Sequence, residues 1–265
     1  VNKGMAQSED RDVLLLNSDT IVTAGWLDKI IACAYREESI GTVTPLSNSA
    51  TLCSVPVMCQ DNPMPENVTV DEYAGLIETC SLRRYPRITV AVGFCMYIKR
   101  SVIDDIGVFD AETFGRGYGE ENDFCNRAEQ AGYHVMCDDT FVYHKGTASF
   151  DTEEKKKLLE EHEAILNDRY AAQMRMNHLY CMENPDQEIR DNINMYTKLH
   201  NGKQNILYLL HLDFQEGAFN NIGGTQIHVK ELTMALRDEY NVFVAARDEE
   251  YLRLTIYTDK DVVSL

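Results

Sequence analysis

Four consecutive apolar residues, Val13-Leu14-Leu15-Leu16, run directly into the polar stretch Asn17-Ser18-Asp19-Thr20. A short, uniformly apolar run predicts a strand buried on both faces, as in a parallel sheet. The polar residues then fall where the strand leaves the sheet at its carboxyl end, the edge at which open α/β sheets bind ligands. Asn17 and Asp19, two residues apart at that exit, point to the same side, so both oxygens can face one cation. Hard oxygen donors of this kind suit Mg²⁺ or Mn²⁺. The plainer alternative is a strand-to-helix turn in which Ser18 or Asp19 caps the next helix.

The length of 265 residues allows one large domain or two smaller ones, and 44% apolar with 26% charged residues is a soluble, globular balance. No apolar run approaches the length of a membrane span, and no secretory signal opens the chain. A first residue of Val rather than Met suggests a fragment or a processed product. The eight cysteines include no Cys-x-x-Cys pair. They read as reduced thiols packed as small hydrophobes in a cytoplasmic protein, rather than as a disulfide framework or a zinc site. A net charge of −18 repels a nucleic-acid backbone. It fits a phosphorylated small molecule held through a divalent ion better than one held by Lys and Arg.

Along the chain, Gly25 to Glu38 places Trp26, Leu27, Ile30, Ile31 and Ala34 on one helical face. Ile40 to Thr44 reads as a second buried strand, closed by Pro45 and the turn Ser47-Asn48-Ser49. Thr51 to Asn67 has no period and is expected to be an ordered loop, in which the Asn67-Val68-Thr69 sequon is taken as chance. Thr69 or Asp71 caps a helix running to about Leu82. Ile88 to Lys99 is a strand interrupted at Gly93, which marks a bulge or a close backbone approach. Ser101 opens a short helix ended by Gly107. Phe124 to Ala131 is a helix stopped by Gly132, and Tyr133–Cys137 and Thr140–Tyr143 are two short strands. From Asp151 the chain becomes polar and helical to about Asn201, as an arm or linker whose charges form a solvated face. A second β-α-β pattern follows: a buried strand Ile206–Leu210, a helix Thr225–Arg237 opened by Gly223-Gly224, and a strand Asn241–Ala246. The double glycine serves either a tight turn or the approach of a phosphate to the helix amino end.

Two further groups carry chemistry. Glu120, Glu121 and Asp123 crowd a helix start after the glycine-rich stretch Gly115-Arg116-Gly117-Tyr118-Gly119. Such acids can simply complement the helix dipole. Packed together behind a mobile loop, they raise the proton affinity of at least one carboxylate, which suits a general base. His144 follows the strand residues Phe141-Val142-Tyr143 and is either a core histidine or a nitrogen ligand for the same cation.

Taken in order, Leu16-Asn17-Ser18-Asp19-Thr20, Gly93-Phe94-Cys95-Met96, Gly119-Glu120-Glu121-Asn122-Asp123-Phe124-Cys125-Asn126-Arg127 and Tyr143-His144-Lys145-Gly146 resemble the carboxyl-terminal part of a family 2 glycosyltransferase of the GT-A type. The resemblance covers residues 1–150. It implies a partial GT-A domain, Rossmann-like, of the nucleotide-diphospho-sugar transferase kind. The family's D-x-D motif stands here as Asn17-Ser18-Asp19, with Asp19 at the second acid and Asn17 the weaker ligand. His144 matches the later histidine that completes the metal shell. Glu121 stands where the catalytic base is expected, beside Glu120, and Gly93-Phe94 matches a segment near the sugar and acceptor. Gly119 and Tyr118 are expected to join Gly93 and Phe94 in binding substrate. The family's first strands, with the nucleotide-base pocket, are expected before Val1.

Ile206 to Leu210 with Gly223 to Leu232 is similar to the start of a family 4 glycosyltransferase of the GT-B type. The implied organisation is a GT-A domain at 1–150, a helical linker at 151–202 and the beginning of a GT-B domain at 203–265. The resemblance implies an enzyme that moves a sugar from a nucleotide-sugar donor to a hydroxyl acceptor, a glycan or lipid-linked saccharide, with inversion. Glu121 would be the base, Glu120 and Asp123 would position acceptor, base or helix, and Mg or Mn would sit on Asp19, His144 and Asn17. Such an enzyme, serving polysaccharide synthesis, is expected in the cytoplasm, with the parent protein bound peripherally at the inner face of the membrane. Two alternatives stand beside it: a non-catalytic carbohydrate- or partner-binding module, and a metal-dependent nucleotidyltransferase. The latter calls for a Gly- and Lys/Arg-rich triphosphate loop, which these residues do not contain.

Overall fold

The computed structural model describes every residue except 116, 130, 147–152, 212, 214–222, 249 and 265, and leaves aside the side chains of 133, 153–155 and 248. The chain forms two compact units, Val1–Asn194 and Met195–Leu265, of mixed α/β class. No helix among the described residues is long and apolar enough to cross a membrane.

In the first unit, α1 (Asn2–Gln7) precedes β1 (Val13–Leu16), β2 (Thr20–Ile21), α2 (Trp26–Ala34) and β3 (Ile40–Leu46). Then come α3 (Val70–Cys80), β4 (Cys95–Ile98), α4 (Arg100–Ile106), α5 (Ala111–Phe114) and α6 (Glu120–Ala128). The unit closes with β5 (Tyr133–Phe141), β6 (Tyr143–His144), α7 (Glu153–Glu183) and the start of α8 (Gln187–Leu199). Among the described residues the main sheet has the order β1-β4-β3-β5. Strand β4 runs antiparallel to both neighbours, and β3 and β5 are parallel. The central strand β4 alternates cleanly: Cys95 and Tyr97 enter a core with Ile30, Val43, Ile77 and Phe141, and Met96 and Ile98 enter one with Met5, Phe109 and Phe124. Each such large side chain removed from water stabilises the unit by about 1.5–3 kcal/mol.

Several expectations hold, and others shift for local reasons. Helix α3 starts at Thr69 through a reciprocal capping box: Thr69 Oγ1 accepts from the Glu72 amide at 3.2 Å, and Glu72 Oε2 accepts from the Thr69 amide at 2.8 Å. Gly107 ends α4 at φ 80°, as a residue without Cβ can. The strand expected at 13–16 forms, but it is half-buried rather than buried on both faces, because it lies at the sheet edge and pairs with antiparallel β4. The strand expected from Ile88 begins only at Cys95, since a turn bond from the Cys95 amide to the Val92 carbonyl (3.3 Å) lifts Gly93 out of the ladder. The two strands expected between 133 and 143 are one continuous β5, followed by β6, which pairs with β2. The residues expected as a linker belong largely to the first unit, with Leu166, Tyr180, Ile189 and Ile193 buried. Buried Arg190 donates to the carbonyls of Ser54 (3.2 Å) and Leu52, which fastens α8 to the segment after β3.

The second unit shows the expected parallel β-α-β: β7 (Gln204–Leu210), α9 (Gly224–Leu236) and β8 (Tyr240–Asp248), extended by antiparallel β9 (Tyr251–Tyr257) and β10 (Val262–Ser264). Strand β7 is not buried on both faces. Tyr208 and Leu210 pack with Val229, Val242, Val244 and Tyr257, whereas Leu207 and Leu209 are exposed. The reason is that β7 is an edge strand with a covering helix on one side. Helix α9 does begin at the double glycine, and residues 214–222 before it lie outside the described residues.

Asp12 anchors the entry to β1. Its carboxylate accepts from the hydroxyls of Tyr35 (2.7 Å) and Tyr97 and from the Arg100 amide (2.7 Å). Burial raises its pKa, and those donors with Lys99 outweigh burial, so the carboxyl lies below its usual value. A depressed carboxyl contributes stability that is complete above the unfolded pKa of about 4 and is lost as pH falls through the folded one. Asp12→Asn is therefore expected to lower stability by about 1–2 kcal/mol at neutral pH, with the difference from wild type shrinking below about pH 4 in denaturant titrations.

Candidate functional site

Helix α6 begins at Gly119, whose φ of 151° and tight surroundings both require glycine: a Cβ there would lie 2.9 Å from the Phe114 ring and 3.3 Å from His162 Cβ. His162, buried on α7, takes part in a 3.0 Å hydrogen bond with the Tyr118 carbonyl. The glycine-rich stretch, expected to be mobile, meets α7 at Tyr118 and Gly119, and Arg116 lies outside the described residues. Tyr118 itself is 41% exposed at φ 66°.

This start delivers Glu120 and Glu121 to a cavity of about 980 Å³ that is also lined by Asn17, Gly93, Phe114 and the length of β1. Glu121 lies directly over Gly93: a Cβ on residue 93 would come within 1.8 Å of Glu121 Oε1. Burial first, and the charge of Glu120 second, push the Glu121 carboxyl up to about 7, while a hydrogen bond from the Gly93 amide opposes the shift. Glu120 turns back on the loop, where its Oε2 accepts from the Gly119 amide at 3.1 Å. Gly93, expected to touch substrate, therefore has a definite first task as the seat of Glu121.

Asp123 occupies a different place. It is fully buried, accepting from Arg127 Nε (2.8 Å), Arg169 Nη1 (3.3 Å) and the Tyr170 hydroxyl (2.8 Å). Those contacts hold α6 against α7, which breaks from helical geometry at Tyr170. Asp123 is not among the residues lining the cavity. Arg169, which sequence reasoning passed over, also grips Asp110 Oδ2 (2.9 Å) and Thr113 Oγ1 (3.0 Å) and holds the Asp110 carboxyl down at about 2.

The second part of the site gathers at the pairing of β2 with β6, where Thr20 is opposite His144. His144 Nε2 is 3.5 Å from both Asp19 Oδ1 and Asn17 Nδ2. Its Nδ1 lies 2.6 Å from the Ser49 carbonyl, which can only accept, so Nδ1 carries a proton and Nε2 is the nitrogen that faces Asp19. A metal-ligating histidine is oriented in this way, its second nitrogen donating to a carbonyl. The ring stacks on Phe94 with centroids 5.1 Å apart. Asn48 clamps the His144 backbone from both ends, accepting from its amide (2.9 Å) and donating to its carbonyl (2.8 Å). Asn48 and Ser49 appeared in the sequence only as turn residues, because their partner lies about 95 positions away. Asn17 belongs to both parts: it lines the cavity, its side chain faces His144, and its backbone N–H donates to the Phe94 carbonyl at 2.8 Å.

Among the described residues no three His, Cys, Asp or Glu side chains gather at one cation-sized point. The donor set at this corner is one carboxylate oxygen, one imidazole nitrogen and, with the Asn17 side-chain amide turned over, one carbonyl oxygen. Such a partial shell fits a hard divalent ion only if further ligands come from outside these three residues. No protein-family model matches the chain, and no curated protein matches its sequence.

Raising the pKa of a buried acid costs the folded state stability once the acid must ionise. The folded chain binds the Glu121 proton more tightly than the unfolded chain does, so this group's contribution falls as pH rises from about 4.5 to about 7. Glu121→Gln is expected to stabilise the protein by about 1–2 kcal/mol at pH 8 and to be nearly neutral at pH 4, as measured by denaturant midpoints.

Proposed function

We propose that this chain carries the catalytic machinery of a glycosyltransferase that moves a sugar from a nucleotide-sugar donor to a hydroxyl acceptor with inversion at the anomeric carbon. The single observation that carries the reading is the Glu121 carboxyl, seated on Gly93 at the wall of a roomy cavity and poised near neutrality. A general base works best when its pKa lies near the working pH. Glu121 takes the proton of the acceptor hydroxyl as that oxygen attacks the anomeric carbon. The bond from that carbon to the donor diphosphate breaks on the opposite face, and its electron pair leaves with the diphosphate.

Asp19 and His144, with the Asn17 amide oxygen, would hold Mg or Mn. Such an ion supplies Lewis-acid neutralisation of the departing diphosphate when bound. Within this reading Glu120 keeps the charge around Glu121 negative, and Asp123 orders the helix that carries both. Gly93, Phe94, Gly119 and Tyr118 shape the surroundings of the sugar and acceptor. The acceptor is a glycan or a lipid-linked saccharide, and the protein works in the cytoplasm against the inner face of a membrane. The second unit is read as the beginning of a GT-B domain.

Transfer is expected to rise with pH through about 7, following ionisation of Glu121. Glu121→Gln is expected to lower transfer by about 10³-fold or more while leaving binding of the sugar nucleotide within about twofold, as read by product assay and calorimetry. Turnover retained in that variant contradicts the base assignment. Binding of sugar nucleotide by the wild type without any turnover favours a carbohydrate-binding module instead. Removal of divalent ions by a chelator is expected to weaken donor binding in the wild type and to change little in Asp19→Asn/His144→Ala.

A further inference from the structure

Six of the eight cysteines are buried, as small hydrophobes would be, whereas Cys59 and Cys181 are exposed. Their Sγ atoms face each other 3.7 Å apart, although 122 positions separate them in the chain. Both lie in the first unit, Cys59 in the segment between β3 and α3 and Cys181 near the end of α7. Cys59 is held at φ 58°, and its amide donates to the Thr51 carbonyl at 2.9 Å. A disulfide needs the sulfurs at about 2.05 Å, so they must close by roughly 1.6 Å, a distance that side-chain rotation at two exposed positions can cover. Burial, with Cys59 beside it, pushes the Cys181 thiol up to about 11, so few thiolates form at neutral pH and closure speeds up in alkali.

The segment around Cys59 is tied to the histidine corner. Asn62 donates from its backbone amide (2.8 Å) and from its side chain (3.2 Å) to the Asn48 carbonyl, and Asn48 clamps His144. Asp61 accepts from the hydroxyl of Ser49, whose carbonyl receives the His144 Nδ1 proton. Residues 57–62 therefore underlie the position of His144, and Cys181 is the point on α7 that faces them.

We propose that Cys59 and Cys181 form a reversible oxidative modification site, closed to a disulfide by a low-molecular-weight disulfide of the glutathione class. One cysteine loses its proton and attacks a sulfur of the oxidant, forming a mixed disulfide and releasing one small thiolate. The second cysteine then attacks the protein sulfur of that mixed disulfide, forming the Cys59–Cys181 bond and releasing the second small thiolate. Two electrons pass from the cysteines to the oxidant, and the two thiol protons end on the released thiols. The bond joins α7 to the segment beneath His144 and closes a long chain loop, which stabilises the first unit.

The test is incubation of the whole protein with oxidised glutathione at about pH 8, alkylation of remaining thiols, and peptide mass spectrometry. The expected product is a chain about 2 Da lighter, cross-linked between residues 59 and 181, restored by dithiothreitol and melting about 5 °C higher. Cys59→Ser and Cys181→Ser are expected to take up one glutathione each and to show no such rise. Glutathione on both cysteines without a cross-link, a cross-link between other cysteines, or no reaction at either position overturns the proposal. These readouts do not depend on sugar transfer, so the proposed activity can fail while the modification site stands.

Discussion

The structure depends on one close approach, that of the Glu121 carboxylate to the backbone of Gly93. Any side chain at residue 93 would occupy the space of that carboxylate. Keeping the acid there opposes its ionisation, and the rest of α6 supplies what offsets the cost. Phe124 and Cys125 are buried without residual exposure, and Asp123 draws Arg127, Arg169 and Tyr170 onto the helix. Asp123 is therefore the buried carboxylate spent on pairing, and the acid pushed up to about 7 is its neighbour two residues earlier. Two acids on one helix turn are driven to opposite tasks by what surrounds them.

A similar division runs through the histidine corner. The side chains of Asn17, Asp19 and His144 depend on a supporting set around them. Asn48 fixes the His144 backbone, the Ser49 carbonyl fixes its tautomer, and Phe94 fixes the plane of its ring. Gly93 and Phe94 are adjacent, so the seat of Glu121 and the stacking partner of His144 are consecutive residues. The two cysteines that face each other at 59 and 181 lie behind this supporting set, where a covalent bond changes rigidity rather than chemistry.

Much of this was legible in the residues. The apolar tetrad before Asn17, a helix capped at Thr69 or Asp71, the glycine ending α4 and the β-α-β of the second unit follow from local chemistry, and each is present, with Thr69 as the cap. Gly93 read as a bulge or a close backbone approach, and the Glu121 carboxylate does approach its backbone closely. What local reasoning missed depends on contacts between distant parts of the chain. The half-exposure of β1 and β7 follows from their edge positions in the sheets, which no apolar run can reveal. Asp123 sits in the same acidic run as Glu121, and only the arrival of Arg169 and Tyr170 from α7 separates their roles. The helical stretch after residue 151 read as a linker because its exposed face is charged, while its buried positions are sparse and irregularly spaced around the break at Tyr170.

The most direct measurement is a pH titration of the Glu121 carboxyl itself, by carbon-detected resonance or difference infrared spectroscopy, in wild type and in Gly93→Ala. A midpoint near 7 in wild type is expected, falling toward the ordinary glutamate value of about 4.3 when the added methyl displaces the carboxylate into water. A wild-type midpoint already at the ordinary value, or one that Gly93→Ala leaves unchanged, contradicts the seating of Glu121 on Gly93 as the origin of the site's chemistry.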